Sequence, residues 1–356
     1  MGAKDAVEEA ATRSVVVPIK EAEAVRRALS ERGLLDPALH PTRIEEGVAF
    51  ALVPDADLDA AAAVATGHRG RLDRSRFTRR ETRPASYRDL LADLPQDLRP
   101  LLPSSFDIVG HVAIVKLPEA LVAHTRHIAD AVLQAQRNIT TVALDKGVKG
   151  ELRVRDLEVV AGEPTLTTFH REHGVELEVA LDRVYFSPRL ATERRRLAER
   201  MAPGARVLDL FAGVGAFVVL VARDQAPAKV CAIDLNPDAV HLLGRNMERN
   251  RITAEVEVRT GDARLVAPRT GDWDHVVMNL PHGAAAFLDV AAECVAPDGE
   301  VHLYAMVERA TEADTVAALE VRLSGLTGAP WRVVERRHVR NYSPTMDGVG
   351  YTLSAR

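Results

Sequence analysis

Val207-Leu208-Asp209-Leu210-Phe211-Ala212-Gly213-Val214-Gly215 reads as a short apolar strand running into a glycine-bearing turn and then a helix. Glycines in such a turn let the backbone approach a ligand where a Cβ would collide. Two glycines alone are a weak signal. Asp234 sharpens it, because it lies 19 residues beyond Gly215 at the end of the next strand, in Ala232-Ile233-Asp234-Leu235-Asn236-Pro237. An acid at that interval reaches the ribose hydroxyls of a nucleoside ligand. Gly261-Asp262-Ala263 follows the third strand, where the Asp262 carboxylate can accept from an exocyclic adenine amine.

Two cofactors compete for this pattern, a dinucleotide and S-adenosylmethionine. Val218 stands where the third glycine of a dinucleotide fingerprint would be, and Asp209 precedes the turn. An acid there suits a ligand carrying an amine and a sulfonium better than one carrying a pyrophosphate, so S-adenosylmethionine is the expected cofactor. The fourth strand leads into Met278-Asn279-Leu280-Pro281-His282-Gly283-Ala284. Asn279 offers an amide and a carbonyl oxygen just past a strand end, the place where open α/β sheets hold ligands. Alone it would be an ordinary strand exit. As the fourth piece of the series it is the expected floor of an acceptor pocket, and the lack of an aromatic after the proline argues against exocyclic-amine methylation.

Outward from this core, strands are expected at Arg206–Leu210, Val230–Ile233, Ala254–Thr260, His275–Asn279 and Gly299–Met306, alternating with helices. That alternation implies a doubly wound, mainly parallel sheet. Two strands, Trp331–Arg340 and Val349–Leu353, close the chain as an antiparallel hairpin. Upstream, residues 1–66 read as a small α/β module, 67–104 as an Arg-rich linker, 105–186 as an α+β middle domain, and 187–356 as the ligand-binding domain. The middle domain is expected to hold a strand from Ile108, a helix over Pro118–Gln136 and β-rich pieces through Val184-Tyr185-Phe186.

At 356 residues with 47% hydrophobic and 27% charged residues, the chain can bury a sizeable core. The Met1–Val15 segment carries charges instead of an apolar core, and no run approaches a bilayer-crossing length, so a cytoplasmic protein without membrane association is expected. Two cysteines, Cys231 and Cys294, lack partners at ligand spacing, and no metal is expected. The net charge of −5 does not advertise a nucleic-acid binder. Phosphate contacts depend, however, on where the 40 Arg residues cluster.

These motifs, together with Val184-Tyr185-Phe186-Ser187-Pro188-Arg189-Leu190-Ala191-Thr192-Glu193-Arg194, closely resemble the archaeal and eukaryotic type tRNA (guanine-37-N1)-methyltransferases. Phe106-Asp107-Ile108-Val109-Gly110-His111 and the stretch from Lys146 to Arg155 look like that family's middle domain. The resemblance implies a class I S-adenosylmethionine-dependent methyltransferase fold, Rossmann-like with a doubly wound sheet, acting on N1 of guanosine 37 of tRNA. Guanine N1 carries a proton at neutral pH, so its methylation needs a base and a group that stabilises charge on O6. By resemblance Glu193 is the base and Arg153 the O6 donor, although Arg153 and Arg155 would share a face of an extended strand. Arg194 and Asn279 fall near cofactor and target base, Pro281 shapes the pocket, and the backbone of Leu235 and Ala263 contacts the adenosine. Asp209, Phe211, Gly213, Gly215, Asp234 and Asp262 complete the expected cofactor site.

Without the resemblance, Glu193 before Arg194, Arg195 and Arg196 would read as an exposed helix with i,i+4 pairs. The tRNA, through anticodon stem-loop and body, is expected to meet the N-terminal module, the Arg-rich strip, the Arg189 to Arg200 cluster, and Arg336, Arg337 and Arg340 beside Tyr342. The protein is expected to be a monomer with no obligatory protein partner. Two alternatives stay open: an aminocarboxypropyl transferase of wybutosine synthesis sharing the fold, and methylation of a tricyclic guanine derivative at the same position.

Overall fold

The computed structural model describes residues 10–78, 86–150 and 152–355. They divide into two compact units, Met1–Ala85 and Ser86–Arg356. In the first, β1 (Ala10–Val17), α1 (Ala22–Glu31), β2 (Thr42–Ile44), β3 (Gly47–Ala51), α2 (Leu58–Gly67) and β4 (Arg71–Phe77) follow one another. The sheet order is β2-β3-β1-β4, with every pair antiparallel. Val15 and Val17 face a cluster with Leu29, Phe50 and Val64 under the helices, and the Asp57 carboxylate caps α2 by accepting from Asp59 N and Ala60 N.

The expected linker over 67–104 is therefore not a linker throughout. Residues 71–77 are an edge strand paired along β1 from Ala10↔Phe77 to Val16↔Arg71. Backbone pairing and the buried Phe77 hold it, while its other side chains are mostly exposed and charged, so it lacks the apolar alternation that marks a strand. Arg79, Arg80 and Arg83 of the strip lie outside the described residues.

The second unit begins with β5 (Asp107–Val109), β6 (Val112–Val115), α3 (Thr125–Ala135), β7 (Thr141–Lys149) and β8 (Val154–Gly162), ordered β5-β6-β7-β8. The expected helix over Pro118–Gln136 opens as a 3₁₀ segment, Glu119–His124, before α3. A hairpin follows, β9 (Thr167–Glu172) and β10 (Val175–Ala180), turning through His173 and Gly174, both at positive φ. Next come α4 (Ala191–Arg200), β11 (Arg206–Asp209), α5 (Ala216–Asp224), β12 (Lys229–Asp234), α6 (Pro237–Arg249), β13 (Val256–Thr260), α7 (Ala263–Val266), β14 (Trp273–Met278), α8 (Leu288–Cys294), β15 (Val295–Glu308), α9 (Glu312–Thr327), β16 (Arg332–Asn341) and β17 (Met346–Ser354).

The seven-stranded sheet runs β13-β12-β11-β14-β15-β17-β16, parallel through β15, with β17 antiparallel between β15 and β16. This is the expected doubly wound sheet, with the closing hairpin folded so that its second strand sits inside. Val207 and Leu208 point to opposite clusters, one with Leu197, Phe217 and Leu243, the other with Leu288, Leu323 and Trp331.

Two expectations for the middle region differ from what is found. Val184-Tyr185-Phe186 is a turn and an extended segment, not a strand. The β9–β10 hairpin, expected within the middle domain, is tied to the seven-stranded half. Glu178 N donates to Asn246 Oδ1 at 2.7 Å and Glu176 N to Asn250 Oδ1 at 2.9 Å. The two asparagine amides donate back to Glu178 O and Glu176 O. Spaced by one turn of α6, they satisfy the open edge of β10 as a further strand would. Ser86–Arg356 group as one compact unit.

Candidate active site

The chain leaves β11 toward β12 on one side, and β14 on the other side of β11 leads toward β15, so a crevice opens beyond the C-terminal ends of β11 and β14. Asp209 closes β11 and Asn279 follows β14, and both line a cleft of about 670 Å³, counted with the part open to solvent. Glu193, Arg194, Phe211 and Gly213 line it too. Thus six of the expected residues, from three separate stretches of sequence, meet on one cleft.

The turn after β11 is built by two glycines with different jobs. Gly213 has φ +56° and faces Tyr185 O, 4.0 Å from where a Cβ would lie, and its N–H donates to Asp234 Oδ2 at 2.7 Å. Gly215 caps α5 at φ +81°, where a Cβ would come within 2.7 Å of Leu243 Cγ. The expected reason, close approach to a ligand, fits Gly213; Gly215 is needed for helix packing and does not line the cleft. Asp234 thereby joins the turn from the next strand, its other oxygen accepting from Asn236 N at 2.8 Å.

Asp209 is 2% exposed and accepts from Phe211 N at 3.0 Å. Burial, opposed by that hydrogen bond and assisted by the Asp234 charge, pushes its carboxyl up to about 7. Between roughly pH 4 and 7 the folded group keeps its proton while the unfolded one has lost it, so stability falls as pH rises through this window. Asp209→Asn is expected to raise stability at pH 8 by on the order of 2 kcal/mol and to weaken S-adenosylmethionine binding. Denaturant melts at pH 5 and pH 8, with and without S-adenosylmethionine, check both effects. A variant equally stabilised at both pH values would contradict the assignment.

Glu193, in the first turn of α4, is 6% exposed. Its Oε1 accepts from Arg196 Nε at 2.9 Å, Arg196 Nη2 at 2.6 Å and Tyr304 Oη at 3.1 Å. Oε2 meets only Arg337 Nε, at 3.9 Å, among the described residues. Burial, and then the Glu193 charge, pushes the Tyr304 phenol well up, so it remains a donor. Gly350 lies against this pair, where a Cβ would approach the Tyr304 ring to 3.0 Å. Arg196 is held in turn by Glu335 at 3.0 Å. One carboxylate oxygen is thus anchored and the other is left with little to hold.

Arg194 lines the cleft with its donors already engaged. Nε and Nη2 meet the two Glu172 oxygens at 2.6 and 2.5 Å, and the guanidinium reaches Ser187 O at 3.3 Å and stacks on Phe186. Burial acts against ionising Glu172, but His170 and Arg194 outweigh it and hold the carboxyl at about 2. These contacts hold the Tyr185-Phe186-Ser187 segment on the cleft wall.

Arg155 is spent on Asp107 at 2.9 Å and Asp145 at 3.3 Å. Arg189 also meets Asp107, at 2.6 Å. Burial disfavours the Asp107 anion, yet the two guanidiniums hold its pKa below the usual carboxylate value. Arg153 is not on an extended strand beside Arg155: it sits in the turn between β7 and β8 at φ +53° and has no side-chain hydrogen bond among the described residues. Its charge reaches His282, which follows Pro281.

Asp262 departs from expectation. Its carboxylate caps α7 and pairs with Arg264 at 2.6 Å, which holds its pKa down, and it does not line the cleft. Leu235 is exposed past β12, and Ala263 is buried at the start of α7. Pro281 O accepts from Met306 N at 2.9 Å, which fixes the loop against β15. Tyr185, Ser187, Glu172 and Tyr304 were not singled out from sequence. Only the first two stand in a quoted motif, and Tyr304 reads as one more apolar strand position.

Two buried polar atoms on the cleft have no hydrogen-bond partner among the described residues, Ser187 Oγ and Asn279 Oδ1. An acceptor at Asn279, a buried carboxyl at Asp209 that an ammonium would ionise and a glycine turn linked to Asp234 suit a ligand with an ammonium and a ribose, so the residues fit S-adenosylmethionine.

Much of the expected phosphate surface is ion-paired within the protein. Arg195, Arg196 and Arg200 are tied to Asp224, Glu335 and Glu300, and Arg336 to Glu312, which neutralises most of the cluster. One metal-competent group escapes a spacing argument because three positions on two strands form it: His275, Glu300 and His302. Arg200 holds Glu300, His302 bonds Thr352 at 3.1 Å, and the two imidazoles bond each other at 3.0 Å, so their hydrogen bonding is satisfied within the protein.

Comparison with known proteins places this geometry. A family model described as TRM5/TYW2 methyltransferase domain matches residues 168–322, and one described as TYW2 N-terminal domain matches 87–165. A protein named tRNA (guanine(37)-N(1))-methyltransferase Trm5b, from Pyrococcus abyssi, is 36% identical over 338 residues, covering 94% of this chain and 96% of the relative. The crystal structure of wild-type Trm5b from that organism superposes with a TM-score of 0.73 at 32% identity, over 96% of this chain and 99% of the other. A complex of aTrm5 and tRNALeu superposes with a TM-score of 0.76 at 27% identity, over 96% and 99% of the two chains.

Proposed function

Because this chain belongs to the tRNA (guanine(37)-N1)-methyltransferase family, we propose that it transfers the methyl group of S-adenosylmethionine to N1 of guanosine 37 in tRNA, with Glu193 as base and Arg153 at O6. Bound S-adenosylmethionine supplies an electrophilic methyl on its sulfonium. Glu193 Oε2 takes the N1 proton, which frees the N1 lone pair for the methyl that the cofactor would supply. Arg196 and Tyr304 hold Oε1 and so aim Oε2. Arg153, with no carboxylate partner among the described residues, donates to the charge growing on O6. Asp209, Gly213 and Asp234 hold the cofactor, Phe211, Leu235 and Ala263 flank it, and Asn279 with Pro281 forms the floor under the guanine.

The observation that supports this reading best is the uneven Glu193 carboxylate, buried on the cleft with one oxygen saturated and one nearly bare. In this reading tRNA is the macromolecular partner and the enzyme works as a cytoplasmic monomer without an obligatory protein partner. A second reading, aminocarboxypropyl transfer, draws on the match of residues 87–165 to the TYW2 N-terminal domain. Incubation with an unmodified tRNA transcript and S-adenosylmethionine, followed by nucleoside mass spectrometry, separates the two. A guanosine one methyl heavier at position 37 is expected; an aminocarboxypropyl adduct there would overturn methyl transfer.

A further inference from the structure

Past Asn279, which lines the cleft, the loop runs through Pro281 to His282, and a second turn comes up beside His282. The β16–β17 turn is closed by Tyr342 N and Ser343 N donating to Met346 O at 2.9 and 3.0 Å, and by Met346 N donating to Ser343 Oγ. This presents Tyr342 to solvent at 50% exposure. Its ring packs edge to face with His282, 5.7 Å between centroids at 69°, and the Arg340 guanidinium lies 5.6 Å from its centroid. Burial and the charges of Arg153 and Arg340 all lower the His282 pKa, so the imidazole is neutral and apolar in character near pH 7.

The pair is tied to the catalytic wall on two strands. On β15, Tyr304 touches Glu193 and Met306, two residues on, holds Pro281. On β16, Arg337 faces Glu193 Oε2, and Arg340 lies three residues further, about 10 Å along the strand. A half-exposed aromatic surface backed by arginine, on the loop that follows Asn279 and at the end of the strand that carries Arg337, is the composition of a single-stranded RNA stacking platform. A guanosine drawn out of its stack also strips a stacking partner from its neighbour.

Resting on the activity proposed above, we infer that His282 and Tyr342, backed by Arg340, form a stacking site for a nucleobase adjacent to the target guanosine. Any base has a π face, so the site reads stacking and not sequence. It would hold the neighbour in place while the target enters the cleft.

The test uses two tRNA transcripts with 2-aminopurine at position 36 or at position 38, read by fluorescence on binding and by methyl transfer. For one of them the wild-type protein is expected to quench the fluorescence by stacking. Tyr342→Ala is expected to abolish that quench and raise the KM for tRNA roughly 5- to 150-fold, and Tyr342→Phe to restore both. His282→Ala, at an exposed position, is expected to give a partial loss. If Tyr342→Ala leaves both fluorescence responses unchanged while wild-type protein methylates the transcripts, the stacking site falls and the activity stands. Failure of Tyr342→Phe to restore the quench also overturns it. If the wild-type protein does not methylate, the activity reading falls and takes this inference with it.

Discussion

Glu193→Gln is expected to cut methyl transfer about 10²- to 10⁴-fold while tRNA and S-adenosylmethionine affinities stay within about twofold. The glutamine oxygen can still accept from Arg196 and Tyr304, so the α4 geometry survives, but the side chain no longer takes a proton. Single-turnover rates at saturating tRNA measure the loss. The variant should regain rate as pH rises, because solvent base then removes the N1 proton in place of the carboxylate. A merely structural defect would show no such slope. Retention of more than about a tenth of the wild-type rate at pH 7 would remove Glu193 as the base.

Arg194→Met is expected to destabilise the protein by about 3 to 5 kcal/mol, since it leaves the Glu172 carboxylate buried without its principal partner. Glu172 is 8% exposed, and in the intact pair its carboxyl sits at about 2, below its usual value of 4.5. Its contribution is therefore complete above about pH 4.5 and is lost as pH falls toward 2. In the variant, burial raises the Glu172 carboxyl, and the loss of stability at neutral pH is relieved on acidification. Adding Glu172→Leu to Arg194→Met should recover part of the loss, because replacing both charges costs less than orphaning one. Urea titrations of the two single variants and the double variant check this. A double variant no more stable than Arg194→Met alone would show that the pair is not the cause.

The strand-turn-helix around Asp209 and the acid at Asp234 were legible because their spacing is local, and the turn is joined to β12 by hydrogen bonds from Ala212 N to Ile233 O and from Gly213 N to Asp234. The strand order was legible only as a class. Nothing in Met346–Ser354 says that β17 inserts between β15 and β16, since its alternation would suit an edge or an interior place equally well. The β4 edge strand was hidden because charged outward side chains mask backbone pairing, and the hairpin β9–β10 was assigned to the wrong neighbour because two asparagines, 68 and 74 residues away, close its edge.

The arginines show the same division most sharply. From sequence, Arg153 was set ahead of Arg155 only by resemblance, since the two would share a strand face, and Arg189 to Arg200 formed a basic cluster. Folding spends Arg155 on Asp107 and Asp145, Arg194 on Glu172, Arg196 on Glu193 and Glu335, and Arg200 on Glu300, and leaves Arg153 in a turn beside the cleft loop. Local order along the chain was enough to read the sheet class and the glycine turn, because backbone conformation and side-chain periodicity are short-range properties. Which charges are free to act was decided by tertiary structure alone. A charge is neutralised by whatever carboxylate the fold brings within about 4 Å, and these partners come from positions up to 139 residues away.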